Sequence, residues 1–569
     1  MIADRRAHAA VSLGVSISNQ KSSINNFFMT NRTRTDILLM ACFCAFVFFY
    51  GMGQFGLIGA DEPRYAQVAR EMLERHDWIT PVLGGHAWLE KPPLYYWQAM
   101  LAYSAVGVSD VSARIPAAVD ATLLVVAVYL FFRRFRRGVE IDAALITASC
   151  TGVIGFAHAA SMDMALAAAF GVGMLAWWAW RESEERIYLA VFYVCMALGM
   201  LAKGPVAPVL AAATIALFAM TVREIRLVLR TLWVPGILLF CVIALPWYVA
   251  VQLRNPQFFR EFILQHNLAR FSSDLYHHRQ PFWYYLPVVA LALVPWSVFV
   301  TAAFAEAVRS WWAKRKSFSG EPSFKMQFSL FACCWLVVPV GFFSISQSKL
   351  PGYILPAIPA GAVLLADYVR RHLAQGEAGP VSKGLALLHA VVAGAPIVPS
   401  LLIAYLITEH RLPGGKPMMV AVAIAFALCA AIAMTLVSRS RLRMLRFVTL
   451  IPVLLSVWAT VKFGSTEIDR ALSARPLSQT IAEGEMHPLP LAVFGVSREM
   501  EYGLTFYRNQ TTVRYEWGSV PTEEHLLVAP ATWKINVAKQ TAGRRVLPLG
   551  HYAPQDVDYY WVSAADAAQ

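Results

Sequence analysis

Long apolar runs separated by short polar or basic stretches occupy the chain from residue 37 to residue 462. A helix that crosses a bilayer needs about 20 mostly apolar residues, and about thirteen runs approach that length. They lie near 37–57, 113–132, 142–159, 163–180, 187–202, 205–221, 233–252, 284–305, 327–345, 352–369, 383–407, 418–437 and 444–462. The stretch 94–108 is apolar too, but it is short and carries Tyr95, Tyr96, Gln98 and Tyr103, so it reads as an interfacial or re-entrant segment. From about residue 464 the pattern turns soluble. Residues 491–496, 512–515 and 526–529 read as short strands between helices and turns, which predicts a small α/β domain of about 100 residues. Residues 1–28 are polar and lack the apolar core of a cleavable signal, and Met29 reads as an alternative start.

Basic clusters orient these spans. With a cytoplasmic N-terminus, Arg133-Arg134-Phe135-Arg136-Arg137, residues 223–230, Lys314-Arg315-Lys316, Arg370-Arg371 and residues 439–446 all fall inside, as the positive-inside rule requires. Counting 94–108 as a span would put every one of them outside. The outer face then receives loops 58–112 and 253–283, the turns at Ser161-Met162-Asp163 and at 347–353, and the C-terminal domain. Loops this long are usually functional or disordered, and their Trp, Tyr, His and paired charge speak against disorder.

Composition agrees. Of 569 residues 57% are hydrophobic and only 15% charged, against about 25% charged in a soluble domain. The net charge of +13 is accounted for by the inner loops, so it does not point to nucleic acid. The eight cysteines all lie in apolar runs without metal-ligand spacing and read as buried hydrophobes.

The first outer loop is the richest in chemistry. Pro63 suits a helix first turn that Asp61 or Glu62 caps. Tyr65, Ala69, Met72 and Leu73 share one face and Arg64, Gln67 and Glu71 another, which predicts an amphipathic helix along the membrane surface. Further on, Trp88-Leu89-Glu90-Lys91-Pro92-Pro93-Leu94-Tyr95-Tyr96-Trp97 gathers an acid, a base, a rigid diproline and four aromatics. An aromatic interfacial belt with a snorkelling lysine would look the same. Asp163 stands alone at an outer mouth, where an ionisable residue is expensive and defaults to a functional reading.

Three motifs, Asp61-Glu62-Pro63-Arg64-Tyr65, Glu90-Lys91-Pro92-Pro93-Leu94-Tyr95-Tyr96-Trp97 and Lys349-Leu350-Pro351-Gly352-Tyr353-Ile354-Leu355-Pro356, resemble the GT-C superfamily of polyprenyl-phosphate-sugar glycosyltransferases. Within it they are most similar to the lipid A 4-amino-4-deoxy-L-arabinose transferases, relatives of the protein O-mannosyltransferases. The resemblance implies an α-helical polytopic membrane protein of GT-C type with juxtamembrane helices and a small C-terminal α/β domain, both periplasmic. Its parts would be a cytoplasmic tail (1–36), a transmembrane catalytic domain (37–463) and the outer domain (464–569). It implies a bacterial inner-membrane enzyme that moves the amino sugar from undecaprenyl phosphate to a lipid A phosphate, lowering anionic charge and conferring polymyxin resistance. Asp61 and Asp163 would then be the catalytic acids, and Lys91 and Arg64 the phosphate ligands, with Glu62, Tyr65, Tyr95, Arg270, Lys349 and Tyr353 around the substrates.

Charge builds on the departing phosphate in such a reaction, so preorganised cations lower its barrier. Lys91 is placed for this, and Arg270, Arg279, Lys203 and Lys349 are further candidates, each equally readable as an interfacial anchor. Asp61 serves either as a base on an acceptor hydroxyl or, where the acceptor is a phosphate already largely ionised, as an orienting group. No cofactor is required by the pattern. Glu90 with His266, and behind them His277 and His278, would be the ligands of a divalent metal such as zinc, although neither a His pair at helical spacing nor a cysteine supports it. Two alternatives remain: transfer of mannose or another sugar to a protein hydroxyl, and a polyprenyl-lipid transporter. Against the transporter, intramembrane charges are sparse and paired broken helices are not evident.

Overall fold

A computed structural model of the chain describes residues 31–262, 280–316, 324–374, 383–394, 431–432, 445–518 and 520–565. The expected span 418–437 and the second half of 383–407 lie almost wholly outside them. Among the described residues seven helices are long and apolar enough to cross a membrane, or nine if two bent pairs each count as one span. Val206–Val222 and Gly384–Gly394 are shorter apolar helices.

The longest helix, Asp110–Phe135, shows why the chain folds as it does. Ser109 and Ser112 form a reciprocal capping box, Asp110 stands in the first turn, and Arg133 and Arg134 stand in the last. Both ends therefore satisfy the helix dipole. Three expected spans are broken. The first is helix only over Asn31–Cys44 and a π turn, Ala45–Phe49. The chain leaves it earlier than the apolar run suggests, because Gly51 takes a left-handed φ of +82°. Span 142–159 bends by 64° where Cys150 is extended, between Glu140–Ser149 and Thr151–Ala157. Span 284–305 bends by 114° between Tyr285–Ala292 and Ser297–Ala313.

Aromatic side chains lock the bundle. Trp177 and Trp178 are fully buried on the Asp163–Ser183 helix, with Phe331 at 5.2 and 5.1 Å from them, centroid to centroid. Their indole N–H groups donate to Thr231 and Glu182 at 3.0 and 2.9 Å. Truncating either to Ala would cost about 3–5 kcal/mol.

Beyond the bundle, a five-stranded sheet runs in the order Val513–Arg514, Leu491–Val493, His525–Pro530, Val557–Val562, Val546–Tyr552. The first three strands are parallel and the last two antiparallel. The final two strands leave no clear mark in the sequence pattern, since Pro548 and Gly550 interrupt one of them. The helix Arg498–Arg508, capped by Ser497, leaves this sheet and packs against the Asp61–Glu74 helix.

That packing overturns one expectation. The Asp61–Glu74 helix does not lie with a polar face open to solvent: Glu62, Arg64 and Gln67 are buried along with Tyr65, Ala69 and Met72. Nor do Asp61 and Glu62 cap it, since Ala60 is the N-cap and no side chain caps there. The buried polar face persists because each charge on it has a partner.

Candidate active site

Six backbone segments converge on a charge-lined cavity of about 210 Å³: the start of the Asp61–Glu74 helix, Lys91, Phe156, the facing ends of two bundle helices at Asp163 and Lys203, and the turn at 350–353. Asp61, Tyr65, Lys91, Phe156, Asp163, Lys203, Leu350, Pro351, Gly352 and Tyr353 line it. Residues nearly 300 positions apart thus share one small space.

Asp163 begins its helix and Lys203 ends the next one, and the two side chains form an ion pair. Helix polarity favours both placements, an acid at an N-terminus and a base at a C-terminus. The Lys203 ammonium also sits 4.8 Å from the centre of the Tyr353 ring. The turn comes this close only because position 352 is glycine. A Cβ there would lie 2.9 Å from Asp163 Oδ1 and from the Phe156 ring.

On the opposite wall, Asp61 is 54% exposed and accepts from Arg64 Nη2 at 2.5 Å. Arg64 is buried, with Nη1 3.6 Å from Glu90 Oε2 and its guanidinium 5.0 and 5.2 Å from the Tyr65 and Trp88 rings. Burial disfavours its charge, but Tyr65, Glu90 and Asp61 outweigh burial and hold its pKa above the usual arginine value. Burial first, then Asp61, pushes the Tyr65 phenol well up, so it stays protonated, and its oxygen accepts from Arg64 Nη2 at 3.2 Å. Lys91 Nζ lies 3.6 Å from Glu90 Oε1. The cavity wall therefore carries two cations, Lys91 and Lys203, against Asp61 and Asp163, with Arg64 and Glu90 paired to wall residues from behind.

Other residues singled out in the sequence sit elsewhere. Glu62 turns away from Asp61 and pairs with the fully buried Arg114 at 2.7 Å. Tyr95 is buried and donates to the Ala113 carbonyl at 2.9 Å. Lys349 precedes the lining turn, and its ammonium donates to the Ser346 carbonyl at 2.5 Å. His266, Arg270, His277, His278 and Arg279 lie outside the described residues. Among the described residues no group of three His, Cys, Asp or Glu side chains is placed to hold a metal. Glu90 stands between two cations, surroundings that oppose a dication.

Phe156 and Pro351 also belong to a second cavity of about 730 Å³. Its wall is mostly apolar, from Phe55, Ile58, Ile154, Val288, Leu291, Ile354 and Val457 among others. A small charged chamber that adjoins a long apolar one suits an amphiphile whose reacting end is anionic. The sequence pattern leaves Lys203 equally readable as an anchor, and it does not single out Arg114 or Phe156. Arg114 does carry a signal, since it and Asp120 are the two charges inside the apolar run 113–132.

Residues 36–260 match the family described as dolichyl-phosphate-mannose-protein mannosyltransferase. The chain is 32% identical over 373 residues to the undecaprenyl phosphate-alpha-4-amino-4-deoxy-L-arabinose arabinosyl transferase of Pseudomonas paraeruginosa, covering 63% of this chain and 65% of that protein. It is 31% identical, with the same coverage, to the transferase of that name from Pseudomonas aeruginosa. The match thus spans a little under two thirds of these relatives' length. Among solved structures, ArnT from Cupriavidus metallidurans bound to undecaprenyl phosphate shares the fold, with a TM-score of 0.69 and 22% identity over 92% of this chain and 97% of that one. The chain is thus a multi-pass membrane protein that shares the fold of that structure and is similar in sequence to the aminoarabinosyl transferases and, over residues 36–260, to the protein mannosyltransferases.

Proposed function

We propose that this protein is a glycosyltransferase that moves 4-amino-4-deoxy-L-arabinose from undecaprenyl phosphate to a phosphate of lipid A, at the periplasmic face of a bacterial inner membrane. The observation that carries the reading is the charged cavity of Asp61, Asp163, Lys91 and Lys203 adjoining the larger apolar one. The names of the relatives supply the sugar and the carrier lipid.

In this mechanism the acceptor phosphate oxygen attacks the anomeric carbon and forms the new C–O bond. The bond from that carbon to undecaprenyl phosphate breaks, and its electron pair leaves on the phosphate oxygen. Lys91 and Lys203 face the departing phosphate and stabilise the charge that grows there. Arg64 stands behind the cavity lining and pairs with Asp61 and Glu90, so it orients Asp61 instead of receiving phosphate. A phosphomonoester is largely dianionic at neutral pH, its second pKa being about 6. Asp61 then has no proton to remove, and it holds the acceptor or the sugar's ammonium group. Asp163 fixes Lys203, while Tyr65 and Tyr353 bound the sugar. Glu62 and Tyr95 are scaffold.

The family match over residues 36–260 supports a second reading, transfer of a sugar to a protein hydroxyl, in which Asp61 is a general base. Incubating the purified protein with undecaprenyl-phosphate-linked aminoarabinose and either lipid A or a Ser/Thr peptide separates the two. A mass addition on lipid A is the expected product. Addition to the peptide alone would replace the first reading by the second.

A further inference from the structure

The segment between the first membrane helix and Asp61 is not helical, so its backbone groups need partners from elsewhere. Two arginines supply most of them, from opposite sides. Arg114, rising from the bundle, donates to the carbonyls of Met52, Phe55 and Gly56 at 2.7, 2.8 and 2.8 Å. Arg475, from the start of the C-terminal domain, donates to those of Gly53 and Gln54, both at 3.1 Å. Asp469 accepts from the Gly56 N–H at 2.7 Å, and the Tyr507 hydroxyl from the Leu57 N–H at 2.6 Å. Arg475 is itself held by Asp469 and Asp110, at 2.6 and 2.8 Å, and Tyr507 donates to Asp110 at 2.5 Å. Every residue from Gly53 to Leu57 is thus gripped through its backbone. A Cβ on Gly56 would collide with Ser473, Tyr507 and Arg475.

The same domain reaches the arginine that holds Asp61. Tyr502 places its ring 5.6 Å from the Arg64 guanidinium, completing an aromatic cage with Tyr65 and Trp88 around the cation that holds Asp61. Arg70 on the Asp61–Glu74 helix donates to the Phe506 carbonyl at 3.2 Å.

We infer that the C-terminal domain is a working part of the active site: Arg475 and Tyr507 set the approach to Asp61, and Tyr502 is a positioning residue that steadies Arg64 against Asp61. The catalytic consequence rests on the transferase reading above, whereas the clamp itself does not. A cation over an aromatic face is held electrostatically, so the ring matters and the hydroxyl does not. Tyr502→Phe should therefore retain what Tyr502→Leu loses.

The test uses the full chain in lipid nanodiscs, with the variants Tyr502→Leu, Tyr502→Phe, Arg475→Gln and Arg475→Lys. Three quantities are read: kcat against donor KM, the Tm, and hydrogen exchange over residues 52–64. Misplacing a reacting group by about 1 Å costs about a hundredfold in rate. Tyr502→Leu should accordingly lower kcat by about tenfold to a hundredfold, with donor KM and Tm little changed and Tyr502→Phe near the parent. Arg475→Gln should raise exchange in 52–64 selectively, and Arg475→Lys less so. Parental kcat in Tyr502→Leu together with parental exchange in Arg475→Gln would overturn the inference, as would losses that only follow a fall in Tm. If the parent protein transfers no sugar at all, the transferase reading fails, and exchange over 52–64 still decides whether the clamp exists.

Discussion

Two ion networks sit at opposite ends of the same helix, and they are built differently. Asp163 and Glu182 mark the two ends of Asp163–Ser183, about 29 Å apart at 1.5 Å per residue. At the Glu182 end, Arg136 donates to Glu182 at 2.7 Å, and fully buried Asp367 accepts from Ser329, Arg370 and Arg371. Arg371 continues to Glu306 at 2.6 Å. Both oxygens of Asp367 are consumed, and the network ties helix ends together. At the Asp163 end the charges line a cavity, and Asp61 keeps half its surface open. Burying charge is costly in either place. Only the second arrangement leaves carboxylates and ammoniums available to a ligand. Charge alone therefore does not mark the site; charge facing empty space does.

The sharpest way to break this contrast is to neutralise one acid at each end. Asp61→Asn should lower the transfer rate by about a hundredfold to a thousandfold, the scale of losing one preorganised electrostatic group. Its Tm should stay near the parent's, because Asp61 is exposed. Asp367→Asn should do the reverse, costing about 3–5 kcal/mol in stability by leaving buried arginines uncompensated, while kcat per folded molecule holds. Unfolding curves and rates on the two variants decide it.

A smaller effect is expected from Lys91→Ala. Removing one charged hydrogen bond is worth about 1.5–3 kcal/mol, so affinity for undecaprenyl phosphate should fall by about tenfold to a hundredfold. Unchanged affinity would make Lys91 an interfacial anchor. Gly352→Ala tests how tightly the cavity is closed. The added methyl meets Asp163 and Phe156, and overpacking of this kind costs about 1–3 kcal/mol. A variant as stable and active as the parent would mean that the turn is loose.

The smallest effect lies outside both networks, in the C-terminal sheet. His525 is buried, with its Nε2 2.5 Å from the Tyr515 hydroxyl. Burial, aided by Arg544 and opposed by a hydrogen bond to the Glu523 carbonyl, lowers its pKa from the ordinary value. The unfolded chain then binds a proton that the folded domain refuses. Stability is full above the ordinary histidine pKa of about 6.5 and falls as the pH drops below it, by at most about 1.4 kcal/mol per pH unit. Chemical unfolding of the parent and of His525→Gln between pH 5 and pH 7.5 checks this, and the variant should lose that slope.

The bundle is legible in the sequence because water-soluble folds seldom contain repeated apolar runs of membrane length. Asp61, Lys91 and Asp163 stand out because charge is scarce outside the basic inner loops. Other features leave no local mark. Tyr502 looks like any aromatic of a soluble domain, and its approach to Arg64 depends on how the Arg498–Arg508 helix docks. Glu62 and Asp61 are adjacent in sequence but point to different partners, one to Arg114 and the other to Arg64. The bend at Cys150 falls in an unbroken apolar run. Each of these is decided by tertiary packing, to which hydrophobic periodicity is blind.

On the proposed function, the Asp61–Asp163 cavity, and no other charged cluster, receives the lipid phosphate. The direct measurement is photocrosslinking with an undecaprenyl phosphate analogue that carries a diazirine beside its phosphate, followed by peptide mapping. Attachment is expected within residues 61–65, at Lys91, at Lys203 and within 350–353. Attachment concentrated around Arg136 and Asp367, with none in those segments, would contradict it.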